Sequence, residues 1–185
     1  MGGENRSRAS TAAAALSQGD VSSGIAALRS LQADIYASIP GRQRPSRGIT
    51  WVLQQISNLL AGECSDRRDM HSLAECIHFG LAPEDKLLGI PIFLMAEVGK
   101  VETAEVLEFF AQAADSGSWV VREFAAAGFR KCTRPGRETV FPWLRQMVQS
   151  PNPNLRRFMG ETLRPAAENR WLLKEPETSL KVGWP

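Results

Sequence analysis

Arginine, glutamate and a small residue share one side of the segment at residues 152–165, NPNLRRFMGETLRP. With 100° between successive helical residues, that side carries Arg157, Gly160, Glu161 and Arg164, and the opposite side is apolar and suited to a core. Arginine can hold phosphate, and a small residue lets a partner's backbone come close. A carboxylate repels a polyanion, so glutamate is the odd member. The polar side predicts an anionic partner and leaves the task of the glutamate open.

The segment at residues 119–132 has a similar division. Its predicted core stripe consists of Val121, Phe124, Ala125, Gly128 and Cys132. Its opposite side is expected to carry Glu123, Ala126 and Arg130, with Arg122 at the flank. Two interpretations stay open. An arginine and a glutamate four residues apart can form a solvated pair worth at most ~0.5 kcal/mol, whereas the repetition of the pattern in two segments favours a functional surface.

Tryptophans lie beside both segments. Trp119 opens the first and Trp171 follows the second. A tryptophan at a helix start can cover a core edge, or it can stack on a sugar or a base. Trp143 has apolar neighbours in the sequence and is predicted to belong to the core.

Charge is distributed unevenly along the chain. The net charge is +2, but residues 1–116 carry 10 Lys/Arg against 14 Asp/Glu, and residues 117–185 carry 12 against 6. Arginine supplies 17 of the 22 cations, and its planar fork suits phosphate better than lysine does. The basic C-terminal part therefore predicts an anionic partner for that part.

Several classes of site have no sequence signal. Three cysteines, Cys64, Cys76 and Cys132, stand at no spacing typical of a metal site, which favours a reduced, cytoplasmic protein. No phosphate loop or dinucleotide motif occurs, so we expect neither a metal nor another cofactor. The longest apolar run, LLGIPIFLMA, is too short to cross a membrane and contains a proline.

The chain is predicted to be all-α. Residues 1–20 are small and polar and are expected to form a disordered or loosely ordered tail, followed by a single repeat domain over residues 21–185. Strand patterns are absent, and helical spacing recurs, with Thr50 predicted as the N-cap of one early helix. Later helices are predicted at about 84–98, 101–115, 118–131, 136–149 and 153–163.

These later segments alternate in a way that predicts repeats. Arg122 can be laid over Arg157 at a spacing of 35, and Leu88 takes the same place at a spacing of 34. Two helices in every ~35–45 residues, stacked on copies of themselves, describe an α-solenoid of HEAT-like repeats. A compact bundle without repeats is the alternative.

The motifs WVVREFAAAGFRKC and RRFMGETLRP, with the spacer VFPWLRQMVQSPNPNLRRF between them, resemble a known family. They are similar to the HEAT-like-repeat DNA glycosylases of the DNA alkylation repair family, nearer the alkylpurine glycosylase C branch. That branch has an EFA motif, matched by residues 123–125, and then a pattern like VRRLASEGTRPRLPW. Residues matching the second pattern are Arg156, Arg157, Glu161, Arg164, Pro165 and Trp171. The resemblance covers about residues 70–182.

The resemblance implies a curved solenoid whose concave basic face holds duplex DNA. It implies excision of cationic N3- or N7-alkylated purines by a cytoplasmic enzyme of bacterial type, expected to be a monomer. Glu123 and Glu161 become the catalytic candidates. The implied DNA-binding residues are Trp119, Arg122, Arg130, Arg156, Arg157, Arg164 and Trp171.

This chain departs from the family pattern in two places. The family's PRLPW is PAAENRW here, and the family continues into a further repeat with another catalytic acid, where this sequence ends at KEPETSLKVGWP. Two alternatives therefore stand beside catalysis. One is a relative that binds DNA without cleaving it, and the other is a HEAT-like scaffold for protein partners.

Overall fold

The computed structural model describes residues 3–99 and 104–183, and within them every regular element is helical. The α-helices are α1 Gly3–Ser17, α2 Val21–Ser38, α3 Ile49–Ala61, α4 Arg67–Phe79, α5 Gly89–Val98, α6 Ala104–Ala114, α7 Trp119–Phe129, α8 Arg137–Val148, α9 Pro153–Leu163 and α10 Pro176–Gly183. Short 3-10 turns occur at Gly41–Gln43, Lys86–Leu88 and Arg170–Leu173. The predicted all-α, helical-repeat fold is confirmed.

The chain divides into two compact units, and the repeat domain predicted over residues 21–185 extends across both. Unit 1 is Met1–Met95 and unit 2 is Ala96–Pro185, so the boundary falls inside α5. None of the helices in the described residues is long and apolar enough to cross a membrane.

Helix α1 differs from the predicted disordered or loosely ordered tail. It packs along α2 and buries Ala9, Ala12 and Leu16. Polar contacts tie it down as well, because Arg8 pairs with Asp34 of α2. The physical reason lies in the stretch TAAAALS, since alanine has the highest helix propensity and its small side chain permits close helix packing. The prediction of a tail relied on the small and polar composition of these residues.

Aspartates cap the starts of two helices in unit 1, and a glycine precedes a third. Asp20 accepts a hydrogen bond from Ser23 N at 3.1 Å and caps α2, and Asp66 accepts one from Asp69 N at 3.0 Å and caps α4. The predicted N-cap Thr50 is wrong, because α3 already begins at Ile49 and Gly48 is its N-cap, without a side-chain hydrogen bond. Thr50 therefore lies inside the first turn.

Two glycines provide a matched test of this packing. A Cβ on Gly24 would lie 2.4 Å from Cγ of buried Leu16, whereas a Cβ on Gly160 would meet nothing within 4 Å. We expect Gly160→Ala to raise the free energy of unfolding by about 0.5–1 kcal/mol, because alanine lowers the chain entropy lost in a helix. Gly24→Ala is expected to lower it by about 1–3 kcal/mol through overpacking of α1 on α2. Chemical denaturation measures both, and equal effects of the two substitutions would disprove the packing described.

Unit 2 stacks helices in the manner of a solenoid. Helix α7 packs beside α9, and α8 packs beside α10, so α7 and α8 each contact the helix two places further along the chain. Aromatic rings fill the space between them. Phe129 lies at the centre, with ring centroids at 4.9 Å from Phe110, 5.2 Å from Trp143 and 5.3 Å from Phe158. The predicted place of Trp143 in the core is confirmed.

Candidate functional site

A shallow cleft in unit 2 lies between α7 and α9. Glu123 of α7 and Glu161 of α9 both line it, as do Arg122 and Arg157. The free space in the cleft is about 10 Å³, which is room for at most one water molecule. The two predicted catalytic glutamates therefore share one cleft and are not covered by packed hydrocarbon.

Helix α9 is held in place by the residues before it. Asn152 accepts a hydrogen bond from Asn154 N at 2.9 Å, and Pro153 occupies the first turn, where a missing N–H costs nothing. Phe158 then faces the core and is buried. Glu161 follows it by three residues, which places that carboxylate at the edge of the buried face.

Glu123 is ion-paired across the cleft. Its Oε1 lies 2.5 Å from Nη2 of Arg157, so α7 and α9 are joined by this pair. The Glu123 side chain is 36% exposed. The carboxylate is therefore reachable from solvent, but its charge is already matched by a guanidinium.

Glu161 is held in two ways. Its carboxylate Oε2 lies 3.1 Å from Nη2 of Arg164, one turn further along the chain. Its backbone carbonyl accepts a hydrogen bond at 2.9 Å from Nη1 of Arg130, the C-cap residue of the neighbouring helix α7. The Glu161 side chain is 27% exposed. The second carboxylate is therefore fixed in position and partly open to solvent.

Arg130 lies inside the unit rather than on its surface. Its side chain is 11% exposed, and its Nε is 3.5 Å from Oε2 of Glu168. A residue that contacts DNA phosphates needs an accessible guanidinium, which Arg130 does not present. The geometry gives it a structural task, because it joins the end of α7 to the backbone of Glu161 and to Glu168.

Arg122 and Arg156 do the same structural work in two successive repeats. Nη1 of Arg122 donates to the carbonyls of Ser116 at 2.6 Å and Gly117 at 3.2 Å. Nη1 of Arg156 donates to the corresponding carbonyls of Ser150 and Pro151 at 2.6 and 3.0 Å. Each arginine holds the turn that precedes its helix, so one guanidinium nitrogen of each side chain is already hydrogen-bonded within the protein.

The repeat register is therefore 34 residues and not 35. Arg122 corresponds to Arg156, whereas the sequence alignment had placed it over Arg157. The carbonyls that accept from the two arginines, at Ser116 and Gly117 and at Ser150 and Pro151, are also 34 residues apart. Glu123 and Glu161 thus occupy different repeat positions, and they line the same cleft because α7 and α9 pack side by side.

The flanking residues divide into exposed and packed groups. Trp119 is 65% exposed at the start of α7 and is available to a partner. Trp171 stacks on Phe141 at 6.0 Å, and the Arg137 guanidinium lies 5.4 Å from its ring, so this tryptophan is engaged in packing. Ala126, expected on the open side of its helix, is buried because α9 covers it.

Asn154 is a cleft residue that the sequence analysis missed. Its Nδ2 donates to Oδ1 of Asp115 at 2.9 Å. Hydrogen bonds from Asn154 and Asn152 hold the pKa of Asp115 below its ordinary value. The sequence signal was the pair of asparagines around Pro153, which marks a helix start with polar groups exposed on it.

Unit 1 has a larger cavity of about 380 Å³, lined by parts of α1 and α4 and the turn after α3. Cys64 and Cys76 both line it, with the carboxylates of Glu63 and Asp69. Burial raises the pKa of the Cys64 thiol, and the carboxylates of Asp69, Glu63 and Asp66 raise it further. Within the described residues, no group of three or more His, Cys, Asp or Glu side chains is placed to hold a metal ion.

The raised pKa predicts a slow thiol at Cys64. At neutral pH we expect iodoacetamide to alkylate it several-fold more slowly than a free cysteine, because less of it is thiolate. The rate is expected to keep rising above pH ~8.5, the ordinary cysteine value. Asp69→Asn removes a charge that raises the pKa and is expected to speed the reaction, which mass spectrometry of the Cys64 peptide measures. A rate unchanged by Asp69→Asn would contradict the electrostatic cause.

No protein-family model, curated protein or solved structure matches this chain. The similarity to the DNA alkylation repair family therefore stays a prediction that rests on the motifs in α7 and α9.

Proposed function

We propose that unit 2 binds duplex DNA over α7 and α9 and hydrolyses the N-glycosidic bond of cationic N3- or N7-alkylated purines. The observation that carries the proposal is that Glu123 and Glu161 line one cleft with arginines beside both carboxylates. A surface that only grips phosphate gains nothing from two carboxylates, since each repels the polyanion. Their presence in the cleft is accounted for by chemistry on a positively charged group.

The positive charge of the alkylated base lowers the barrier to its own departure. An alkylated purine is already a cationic leaving group, so its glycosidic bond needs little acid catalysis. The remaining needs are to stabilise the oxocarbenium charge on the deoxyribose and to direct a water molecule, and a carboxylate can do both. Glu123 and Glu161 are assigned these two tasks.

DNA phosphates would compete with the two glutamates for their arginine partners. Arg157, which lines the cleft, and Arg164, at the C-cap of α9, are both exposed, and each is paired with one of the glutamates. A phosphate of the DNA backbone competes for the same guanidinium, as a charge-assisted partner of arginine. Binding of DNA then turns Arg157 and Arg164 toward phosphate and leaves the carboxylates facing the sugar. Trp119 lies exposed at the start of α7 and can stack on the nucleic acid.

The test compares a cationic lesion with a neutral one. The full chain is incubated with duplex DNA containing 7-methylguanine or 3-methyladenine, and with matched DNA containing hypoxanthine, and the released bases are quantified. We expect release of the two methylated purines well above the spontaneous rate and no release of hypoxanthine. Spontaneous rates throughout would contradict the proposal.

A second candidate function is DNA binding without base excision. It is favoured by the pairing of both carboxylates with guanidinium groups and by a cleft with room for at most one water molecule. Under this alternative, Arg157→Gln/Arg164→Gln weakens duplex binding and lowers the salt slope of log K by about 2, while no base is released. The base-release assay and the salt titration together separate the two functions.

A further inference from the structure

Unit 1 carries a basic surface that the proposed function does not use. The connection between α2 and α3, residues 40–48 or PGRQRPSRG, is named the arginine loop here. Arg42, Arg44 and Arg47 are all exposed and form no ion pair with a described residue. The loop has a defined shape, because backbone N–H groups of Gln43, Arg44 and Arg47 donate to loop carbonyls at 2.8–3.2 Å. Three guanidinium groups are thus presented on an ordered turn.

The loop is a basic island in an acidic part of the chain. Residues 35–62 contain these three arginines and no Asp or Glu, although residues 1–116 as a whole have 14 acidic and 10 basic residues. Arg8 and Arg29 elsewhere in unit 1 pair with Asp34 and Asp85. Since no acidic residue lies near the loop in the sequence and no described acidic residue pairs with its arginines, its positive charge can be matched by a partner. The start of α3 adds to it, because Gly48 provides no side-chain cap and the N-terminal end of a helix is positive.

Two aromatic rings flank the loop and contact two of its three guanidinium groups. The Arg44 guanidinium lies 5.5 Å from the ring centre of Tyr36, and the Arg47 guanidinium lies 4.9 Å from that of Trp51. Tyr36 is 42% exposed. An arginine over an aromatic ring places a cation beside an apolar plane, and an unstacked base can stack on such groups while neighbouring donors bind phosphate. This combination of charge and planar surfaces suits nucleic acid.

An anionic membrane is a poorer match for the same surface. The residues at the tip of the loop, from Gly41 to Gly48, are glycine, arginine, glutamine, proline and serine, with no aliphatic or aromatic side chain to enter a bilayer. The aromatic residues belong to the flanking helices and have guanidinium groups near their rings. All three cations are arginine. The planar guanidinium can form paired hydrogen bonds to a phosphate or a base edge, whereas attraction to an anionic membrane is served equally well by lysine.

We infer that the arginine loop, with Tyr36 and Trp51, is a binding surface for single-stranded nucleic acid. Arg42, Arg44 and Arg47 bind backbone phosphates, and the ring and guanidinium planes stack on bases. Single strands are the class that fits, because a base must be unstacked from its neighbours to lie on these planes. The inference concerns unit 1 alone and does not depend on catalysis by unit 2.

Fluorescence anisotropy of dye-labelled oligothymidylate with the full chain tests this surface. Arg42→Gln/Arg44→Gln/Arg47→Gln is expected to weaken binding at least tenfold and to reduce the salt slope of log K by about 2, the value for three phosphate contacts on a single strand. The matched control is Arg6→Gln/Arg67→Gln/Arg68→Gln, which removes the same charge from other exposed arginines of unit 1. The control is expected to bind within about twofold of the wild type.

A second measurement locates the contact. Photo-crosslinking of a bromodeoxyuridine oligonucleotide, followed by mass spectrometry of the peptides, is expected to label residues 36–51. Crosslinks confined to unit 2, or equal losses in both triple variants, would overturn the inference. Binding to phosphatidylglycerol vesicles that needs the loop arginines, without binding to the oligonucleotide, would also overturn it and point to a membrane. Circular dichroism of both triple variants confirms that each is folded.

Discussion

Phe129→Ala is expected to lower the free energy of unfolding by about 3–5 kcal/mol. Phe129 is fully buried and is in ring contact with Phe110, Trp143 and Phe158, which come from three different helices. Removing the ring leaves a cavity that these neighbours cannot fill together, because each is fixed by its own helix. Part of the loss comes from the aromatic contacts themselves, which contribute about 0.5–1.5 kcal/mol each beyond the buried area. Urea denaturation followed by circular dichroism measures the change.

Phe79→Ala is the matched control, since it makes the same chemical change at a residue that is 80% exposed. We expect it to change the free energy of unfolding by less than about 0.5 kcal/mol. Similar losses for the two variants would show that Phe129 is not the centre of the core in unit 2.

Glu123→Gln and Glu161→Gln are each expected to slow release of 7-methylguanine by about 10²–10³-fold. Glutamine keeps the size of the side chain and removes the charge to which we assign stabilisation of the oxocarbenium ion. Duplex binding is expected to change in the opposite direction. Loss of either carboxylate removes a repulsion and frees Arg157 or Arg164 for phosphate, so affinity rises. Slower chemistry together with tighter binding distinguishes a catalytic carboxylate from one that merely supports the fold.

Glu138→Gln is the control for the glutamate variants. Glu138 lies in the exposed first turn of α8 and does not line the cleft. Its release rate and affinity are expected to stay within about twofold of the wild type. If Glu138→Gln slows release as much as the cleft variants do, the cleft is not the site of reaction.

The helices of unit 2 were accessible to prediction because their signals are local. Residues 153–163 were predicted as helical and form α9, where an asparagine cap and a proline in the first turn mark the start. The predicted segment 136–149 agrees with α8 to within a residue at each end. The segment predicted at 101–115 contains α6, and its first three residues lie outside the described part of the chain. Helix α1 was missed because an alanine-rich stretch lacks a strongly apolar face, and its packing on α2 supplies the stability.

The site was accessible only in part. Helical spacing placed Glu123 and Glu161 on polar faces, and the packing of α7 beside α9 brings them to one cleft. Spacing alone did not show which face a neighbouring helix covers, so Arg130 was predicted as exposed and Ala126 as open. Arg122 and Arg156 each hold the turn before their helix by hydrogen bonds to loop carbonyls, whose positions in space a sequence does not give. The predicted repeat spacing of 35 residues, instead of 34, also hid the equivalence of these two arginines. The curvature of the solenoid, its concave basic face, the binding of DNA and the cytoplasmic location stay predictions.

The central claim is that two glutamates in one cleft of unit 2 cleave the bond to a cationic purine. Single-turnover release of 7-methylguanine from duplex DNA, with wild type and Glu123→Gln/Glu161→Gln at equal DNA occupancy, tests it most directly. The expected result is release far above the spontaneous rate for the wild type and a rate near the spontaneous one for the double variant. Equal rates for the two proteins would contradict the claim.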